Sequence, residues 1–209
     1  MKFFLKTFFL LILSGCTSVD LGNKIAPGYV EAFVSIQRAI FGYESEIISK
    51  ELIYEIPYAS MVTKIGKGPN GLMILESLKN QEQLWISADN VYFKIIKGRI
   101  VATSGLENNL TNLVISKEIS NYHLIDEGLT YKHYFSYDDP EVFFLEVEAT
   151  YKKLGLELVN LFDRSIELEL VEEELNNKYL GWKVINRYWI DSEGYIWKSE
   201  QNISPKLQS

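Results

Sequence analysis

The sequence predicts a mainly all-β protein, a large curled antiparallel sheet or half-barrel with one N-terminal amphipathic helix. Three observations lead there. From about residue 52 onward, apolar, β-branched and aromatic residues fall into short segments with a period of two. Short polar or glycine-bearing connections separate these segments, of the kind that close hairpins. A helical spacing is sustained once, near the N-terminus. With 47% hydrophobic and 13% aromatic residues, the 209-residue chain has the material for a packed core, which excludes a disordered protein.

The N-terminus carries a different signal. Met1, Lys2 and Lys6 form a basic start, and Phe8 to Leu13 is an apolar run that ends at Ser14-Gly15-Cys16. That charged, then apolar, then small order is the pattern of a secretory signal. Leu13-Ser14-Gly15-Cys16 resembles the bacterial lipoprotein box, in which the cysteine becomes the acylated first residue of the mature chain. The run is too short for a membrane span, which needs about 20 apolar residues. The expected organisation is a signal peptide over 1–15, a lipidated tether over 16–24 and a single β-rich domain over 25–209. Thr17 stands where an aspartate resembles an inner-membrane retention signal, so the outer membrane is the expected address.

Charge narrows the partners. The formal net charge is −7, and loss of Lys2 and Lys6 with the signal leaves 19 basic against 28 acidic residues, or −9. An acidic body has no footprint for nucleic acid and is repelled by anionic lipid headgroups. Membrane attachment therefore falls to the lipid on Cys16. Once Cys16 is acylated, no cysteine remains for a disulfide or a metal site. His123 and His133 alone offer little to a transition metal, and no cofactor is expected.

Pro27 opens the helical pattern, with Val30, Phe33, Val34, Ile40 and Phe41 on one stripe and Gly42 placed to end it. This is a helix of about four turns, whose stripe packs on the chain's own sheet or meets a partner. The first strands are expected at Leu52–Ile56, Met61–Ile65, Leu72–Leu78, Leu84–Ser87, Val91–Ile96 and Arg99–Thr103. Asp89-Asn90 and Lys97-Gly98 read as two-residue hairpin connections. Gly66 to Gly71 lacks the order of a phosphate-binding loop and reads as a turn. Leu106 to Leu113 reads as a polar loop or helical turn. Further strands are expected at Tyr131–Tyr137, Val142–Leu154, Leu156–Phe162, Ser165–Val171, Trp182–Trp189 and Tyr195–Ser199. Glu172-Glu173-Glu174 reads as a turn or solvated face rather than a calcium site, which would want a tight loop with a glycine. Asp191-Ser192-Glu193-Gly194 closes the last hairpin, and Ser204-Pro205 leaves the sheet.

A search for catalytic patterns finds no free cysteine nucleophile, no Gly-x-Ser-x-Gly elbow and no His-Glu-x-x-His pair. The nearest thing to a hydrolytic set is His133 with Asp138 and Asp139, near His123 and Asp126 in sequence. The aromatics are more suggestive. Trp85, Trp182, Tyr188, Trp189, Tyr195 and Trp197 fall on expected strands and are the candidates for contact with a glycan or a partner. Buried aromatic residues of a sheet core give the same pattern. The triplets Asn109-Leu110-Thr111 and Asn202-Ile203-Ser204 match a glycosylation acceptor, which carries no weight in a bacterial lipoprotein.

Several short motifs, in order, are similar to one family. They are Pro57-Tyr58-Ala59-Ser60, Leu84-Trp85-Ile86-Ser87-Ala88-Asp89, and Gly98-Arg99-Ile100-Val101-Ala102-Thr103-Ser104-Gly105-Leu106. Near the C-terminus come Asn186-Arg187-Tyr188-Trp189-Ile190-Asp191 and Gly194-Tyr195-Ile196-Trp197-Lys198-Ser199-Glu200-Gln201, then Pro205. Together they resemble the group 4 capsule polysaccharide lipoprotein family of the GfcB/YjbF type. The resemblance implies a β-rich outer-membrane lipoprotein concerned with capsule or exopolysaccharide export, and it carries over no catalytic residue. The expected function is a non-enzymatic accessory factor that binds the emerging polysaccharide or an outer-membrane export protein. The alternatives are a periplasmic glycan-modifying enzyme that uses Asp138, Asp139 or His133, and a general envelope assembly factor.

Overall fold

Two meanders account for every strand among the described residues. A computed structural model of the chain describes residues 48, 50–115, 122–162 and 164–206, all within one unit spanning Glu44–Ser209. The expected signal peptide, Cys16, the tether and the amphipathic helix starting at Pro27 lie outside the described residues. A six-residue helix, α1 (Lys50–Glu55), leads into β1 (Ser60–Lys64), β2 (Asn70–Lys79), β3 (Glu82–Ser87), β4 (Tyr92–Ile96) and β5 (Arg99–Ser104). These five strands form one antiparallel sheet in sequence order. The second sheet holds β6 (Leu110–Val114), β7 (Thr130–Asp138), β8 (Glu141–Leu161), β9 (Arg164–Asn177), β10 (Trp182–Ile190) and β11 (Ile196–Glu200), again each beside its sequence neighbour. A 3₁₀ turn, Tyr122–Leu124, precedes β7. The curled antiparallel architecture is as expected, but it is divided into two sheets at the β5–β6 connection.

Hairpin chemistry explains the meanders. Asn80-Gln81 and Lys97-Gly98 each place two consecutive residues at positive φ, the requirement of the tight turn whose twist matches the strands. Asp89-Asn90 closes differently. Ser87 N donates to Val91 O at 3.0 Å, so the loop has three residues, with Asn90 at φ 62° as its left-handed closing residue.

Several boundaries depart from the sequence reading. Leu52–Ile56 is not a strand, since α1 occupies most of it. Five residues before Pro57 are too few for periodicity to separate strand from helix. Leu106–Leu113 is a loop that turns into strand at Leu110. Val142–Leu154 and Leu156–Phe162 are one strand, β8, because Gly155 marks a bulge instead of a break. The register steps from Lys153 opposite Val171 to Gly155 opposite Leu170, and Gly155 takes φ 90° there. Glu172-Glu173-Glu174 is not a turn, for β9 runs through it to Asn177.

Three apolar clusters hold the sheets. The largest joins Val101 of β5 to Leu110, Phe135, Val147, Tyr151, Val171, Leu175 and Tyr188 of the six-stranded sheet. Met73, Trp85, Val91, Phe93 and Ile95 form the core of the five-stranded sheet. Val159, Leu168 and Trp189 make the third, on the far part of β8 and β9. Gln201 ties the two sheets: its Nε2 donates to Gly98 O at 2.9 Å and its Oε1 accepts from Ile100 N at 3.0 Å.

Candidate functional site

The side chain most thoroughly enclosed by polar partners is Glu173, 0% exposed at the centre of β9. Arg99, opening β5, places Nη1 2.7 Å from both carboxylate oxygens and gives Nη2 to the hydroxyls of Tyr122 and Tyr151 at 3.1 and 3.2 Å. Tyr151 OH donates to Glu173 Oε1 at 2.5 Å, and Tyr188 OH and Asn186 Nδ2 donate to Oε2 at 3.0 and 2.8 Å. His133 Nε2 lies 3.0 Å from Tyr151 OH and 3.1 Å from Glu173 Oε1. Tyr151 has one proton and gives it to Glu173, so Nε2 of His133 carries the proton and donates. His133 Nδ1 and Arg99 Nε are then buried without a partner.

The electrostatics keep Glu173 ionised and its tyrosine donors protonated. Burial pushes the Glu173 carboxyl up, but the Arg99 guanidinium and the His133 hydrogen bond outweigh it and hold the carboxyl well below the usual range. Burial pulls Arg99 down, and the Glu173 charge more than offsets it, leaving Arg99 well above its ordinary value. Burial is also the main reason that the Tyr151 and Tyr188 hydroxyls are raised well above theirs. They stay protonated and act as donors. Arg99 further lies 5.1 Å from the centroid of the Tyr188 ring. Such a closed ion pair with its full set of donors fixes how β5 meets the six-stranded sheet.

Of the sequence-selected aromatics, four are interior. Tyr188 is 0%, Trp189 4%, and Trp85 and Trp182 each 7% exposed, so they are packed in the interior, and of the four Trp85 also borders the cleft described below. Their place is explained by the register, which turns these positions toward the apolar clusters. Tyr195 and Trp197 are different, at 55% and 39% exposed, with ring centroids 5.4 Å apart and planes at 77°. Asp191 holds them. Its Oδ1 accepts from Glu193 N and Tyr195 N, both at 2.9 Å, and its Oδ2 accepts from Trp197 Nε1 at 2.8 Å. Burial raises the Asp191 carboxyl, and the Trp197 and backbone N–H donors together outweigh it, keeping the carboxylate below its ordinary range.

Tyr195 and Trp197 stand on the wall of a cleft of about 1060 Å³. One wall comes from α1 and the five-stranded sheet, including Tyr54, Lys64, Asn70 and Gln83, and the other from the β8–β9 turn and β11, including Phe162, Arg164, Lys198 and Gln201. This is a mixed surface of rings, amides and charges, of the kind that takes a polar ligand with flat apolar faces.

The residues considered for hydrolysis are not assembled. His133 is sealed in the Glu173 cluster, and the five residues of β7 that separate it from Asp138 span about 16 Å. Asp138 accepts from Asn109 N and Nδ2, each at 2.7 Å, and these bonds lower its carboxyl. His123 is engaged elsewhere, with Nδ1 2.9 Å from Glu169 Oε2 and Nε2 2.9 Å from Asp191 O. Among the described residues no group of His, Cys, Asp and Glu is arranged to hold a metal ion. Nothing in the sequence pattern singled out Arg99, Tyr122, Tyr151 or Asn186, and Glu173, expected on a turn or solvated face, is instead fully buried. One signal was available: Val171, Glu173 and Leu175 share a strand face, so the glutamate occupies a core position.

Known proteins match this chain along most of its length. The model of a family described as group 4 capsule polysaccharide lipoprotein gfcB, YjbF matches residues 33–209. The uncharacterized lipoprotein YjbF of Escherichia coli (strain K12) is 26% identical over 197 residues, covering 91% of this chain and 86% of YjbF. The uncharacterized lipoprotein GfcB of the same organism is 23% identical over 197 residues, covering 92% and 88%. Among solved structures, the hypothetical lipoprotein YmcC of Escherichia coli (K12) superposes with a TM-score of 0.67 at 21% identity, over 81% of this chain and 87% of YmcC. That likeness concerns the fold.

Proposed function

The chain belongs to the group 4 capsule polysaccharide lipoprotein family, and from this premise we propose that it is a non-enzymatic accessory lipoprotein of capsule or exopolysaccharide secretion. In this reading acyl chains on Cys16 hold it to the outer membrane on the periplasmic side, and it contacts the emerging polysaccharide or an outer-membrane export protein. The observation that carries the reading is the family match, which spans both sheets and the cleft. The exposed Tyr195–Trp197 pair supports it, because an exposed ring pair tied to Asp191 by two hydrogen bonds is built for contact rather than for packing. Among the described residues no helix is long and apolar enough to cross a membrane, and in this reading the attachment falls to the lipid.

Deletion of the gene tests the reading. Capsule or secreted polysaccharide should fall in amount or lose its surface location, and restoring the wild-type gene should recover it. An unaltered capsule would sink the proposal. Defects extending to unrelated outer-membrane proteins would point to general envelope assembly instead. Alanine at Asp138, Asp139 and His133 separates the enzymatic alternative, which requires that the glycan's structure change.

A further inference from the structure

The charges that line the cleft are largely settled within the protein. Glu200 lies 3.3 Å from Arg187 Nη1 and 3.5 Å from Lys198 Nζ. Lys198 Nζ also sits 3.9 Å from the centroid of the Trp189 ring. Arg164 has a partner of its own. The lining charge outside these pairs, among the described residues, is Lys64, which ends β1 exposed to solvent, so water already meets it. An ionised ligand entering the cleft would shed its hydration where the counter-charges are already matched. For an anion the cost is larger still, because the chain carries 28 acidic against 21 basic residues. The lining therefore favours an uncharged occupant.

What the lining offers is ring face and amide. Trp197 Nε1 donates to Asp191 Oδ2 at 2.8 Å, and Tyr195 N donates to Oδ1 at 2.9 Å. The polar edge of the indole is thereby satisfied, and both rings stay exposed. With centroids 5.4 Å apart and planes at 77°, they make two surfaces at a steep angle, which suit the C–H faces of pyranose rings. Gln83 Oε1 accepts from Trp85 Nε1 at 3.1 Å, which leaves its amide nitrogen to donate, and Asn70 brings a second amide. Sugar hydroxyls, which donate and accept without carrying charge, match both. An acyl chain or an apolar peptide would bury these amides unpaired. At about 1060 Å³ the cleft is at the upper end of small-ligand sites, large enough for several linked sugars.

We propose that this cleft binds a short stretch of uncharged polysaccharide, with Tyr195 and Trp197 stacking on sugar faces and Asn70 and Gln83 meeting hydroxyl groups. The inference rests on the function proposed above and specifies its ligand class.

The test is a titration of the full chain in phospholipid nanodiscs with maltohexaose, cellohexaose and mannohexaose, and with oligogalacturonate of the same length, followed by calorimetry and tryptophan fluorescence. At least one neutral probe should bind, with an affinity that added salt leaves unchanged. Oligogalacturonate should bind at least about tenfold more weakly, a difference of about 1.4 kcal/mol. Tyr195→Ala and Trp197→Ala should each weaken neutral binding severalfold with unchanged circular dichroism. Oligogalacturonate binding as tightly as the neutral probes would overturn the selection for an uncharged chain. Neutral binding untouched by both substitutions would remove the ligand from this cleft. Failure of every neutral probe would overturn the inference, and a capsule defect on deletion of the gene would then leave the secretion role standing through a protein contact.

Discussion

Glu173 is where a single residue governs most. Removing its charge while Arg99 stays buried leaves an uncompensated cation among hydroxyls oriented to serve a carboxylate. Breaking one partner of a buried pair costs about 3–5 kcal/mol, so Glu173→Gln should lower the urea midpoint by a corresponding amount, or prevent folding outright. Tyr188→Phe is the milder probe. It removes one donor and should cost about 1–3 kcal/mol in the same unfolding measurement. The pH dependence has a definite sign. Because the folded carboxyl is held below the unfolded value of about 4.3, its contribution is complete above that value and is lost as the pH falls through the folded one. Wild-type stability should therefore decline as the pH is lowered below about 5. A folded Tyr188→Phe variant should show the same decline, and one measured for Glu173→Gln should be shallower.

At the scale of elements, the turns and the bulge decide how the strands are aimed. Gly98 takes φ 74° in the β4–β5 hairpin, and a Cβ there would lie 2.3 Å from Ile196 Cδ1 of β11. Gly155 takes φ 90° at the β8 bulge and has nothing within 4 Å of the corresponding position. Both alanine variants pay for the left-handed backbone, about 1–2 kcal/mol. Gly98→Ala meets a packed side chain as well, and its thermal midpoint should drop further than that of Gly155→Ala. Gln201→Leu removes both bonds between β11's exit and the β4–β5 hairpin, leaving Gly98 O and Ile100 N without that partner. It should destabilise by about 1–3 kcal/mol and loosen the cleft wall, which hydrogen exchange at the Ile100 amide would register. An unchanged exchange rate there would argue that Gln201 does not join the sheets.

For the whole molecule, the consequential separation is between a body that folds by its own meanders and the anchor proposed at Cys16. Among the described residues every strand pairs with a neighbour in sequence, so the strand pairing is local and needs no membrane to form. Cys16→Ser should then give a folded protein with an unchanged unfolding transition that no longer fractionates with membranes or remains unprocessed. A processed Cys16→Ser protein that still fractionates with membranes would contradict anchoring by that cysteine. Anchoring matters to the proposed role because it raises the local concentration of a binding surface beside the exported chain.

Sequence by itself determined the class of fold and the family, because strand periodicity and turn chemistry are local properties written in consecutive residues. Lys97-Gly98 and the Asp191–Gly194 hairpin are visible as dipeptides and tetrapeptides, and the meander follows from them. Tertiary structure alone decided which charges and rings face where. Glu173 and Glu172 are neighbours of identical chemistry, and the pleat buries one in a cluster and sets the other beside Arg187 at 2.9 Å. Trp189 and Trp197 look alike in sequence, but one lies under Lys198, whose Nζ is 3.9 Å from its ring centroid, while the other stands open on the cleft wall. Arg99 and Glu173 are 74 residues apart and meet because the side chain at the start of β5 reaches into the six-stranded sheet, a long-range closure that no local pattern encodes.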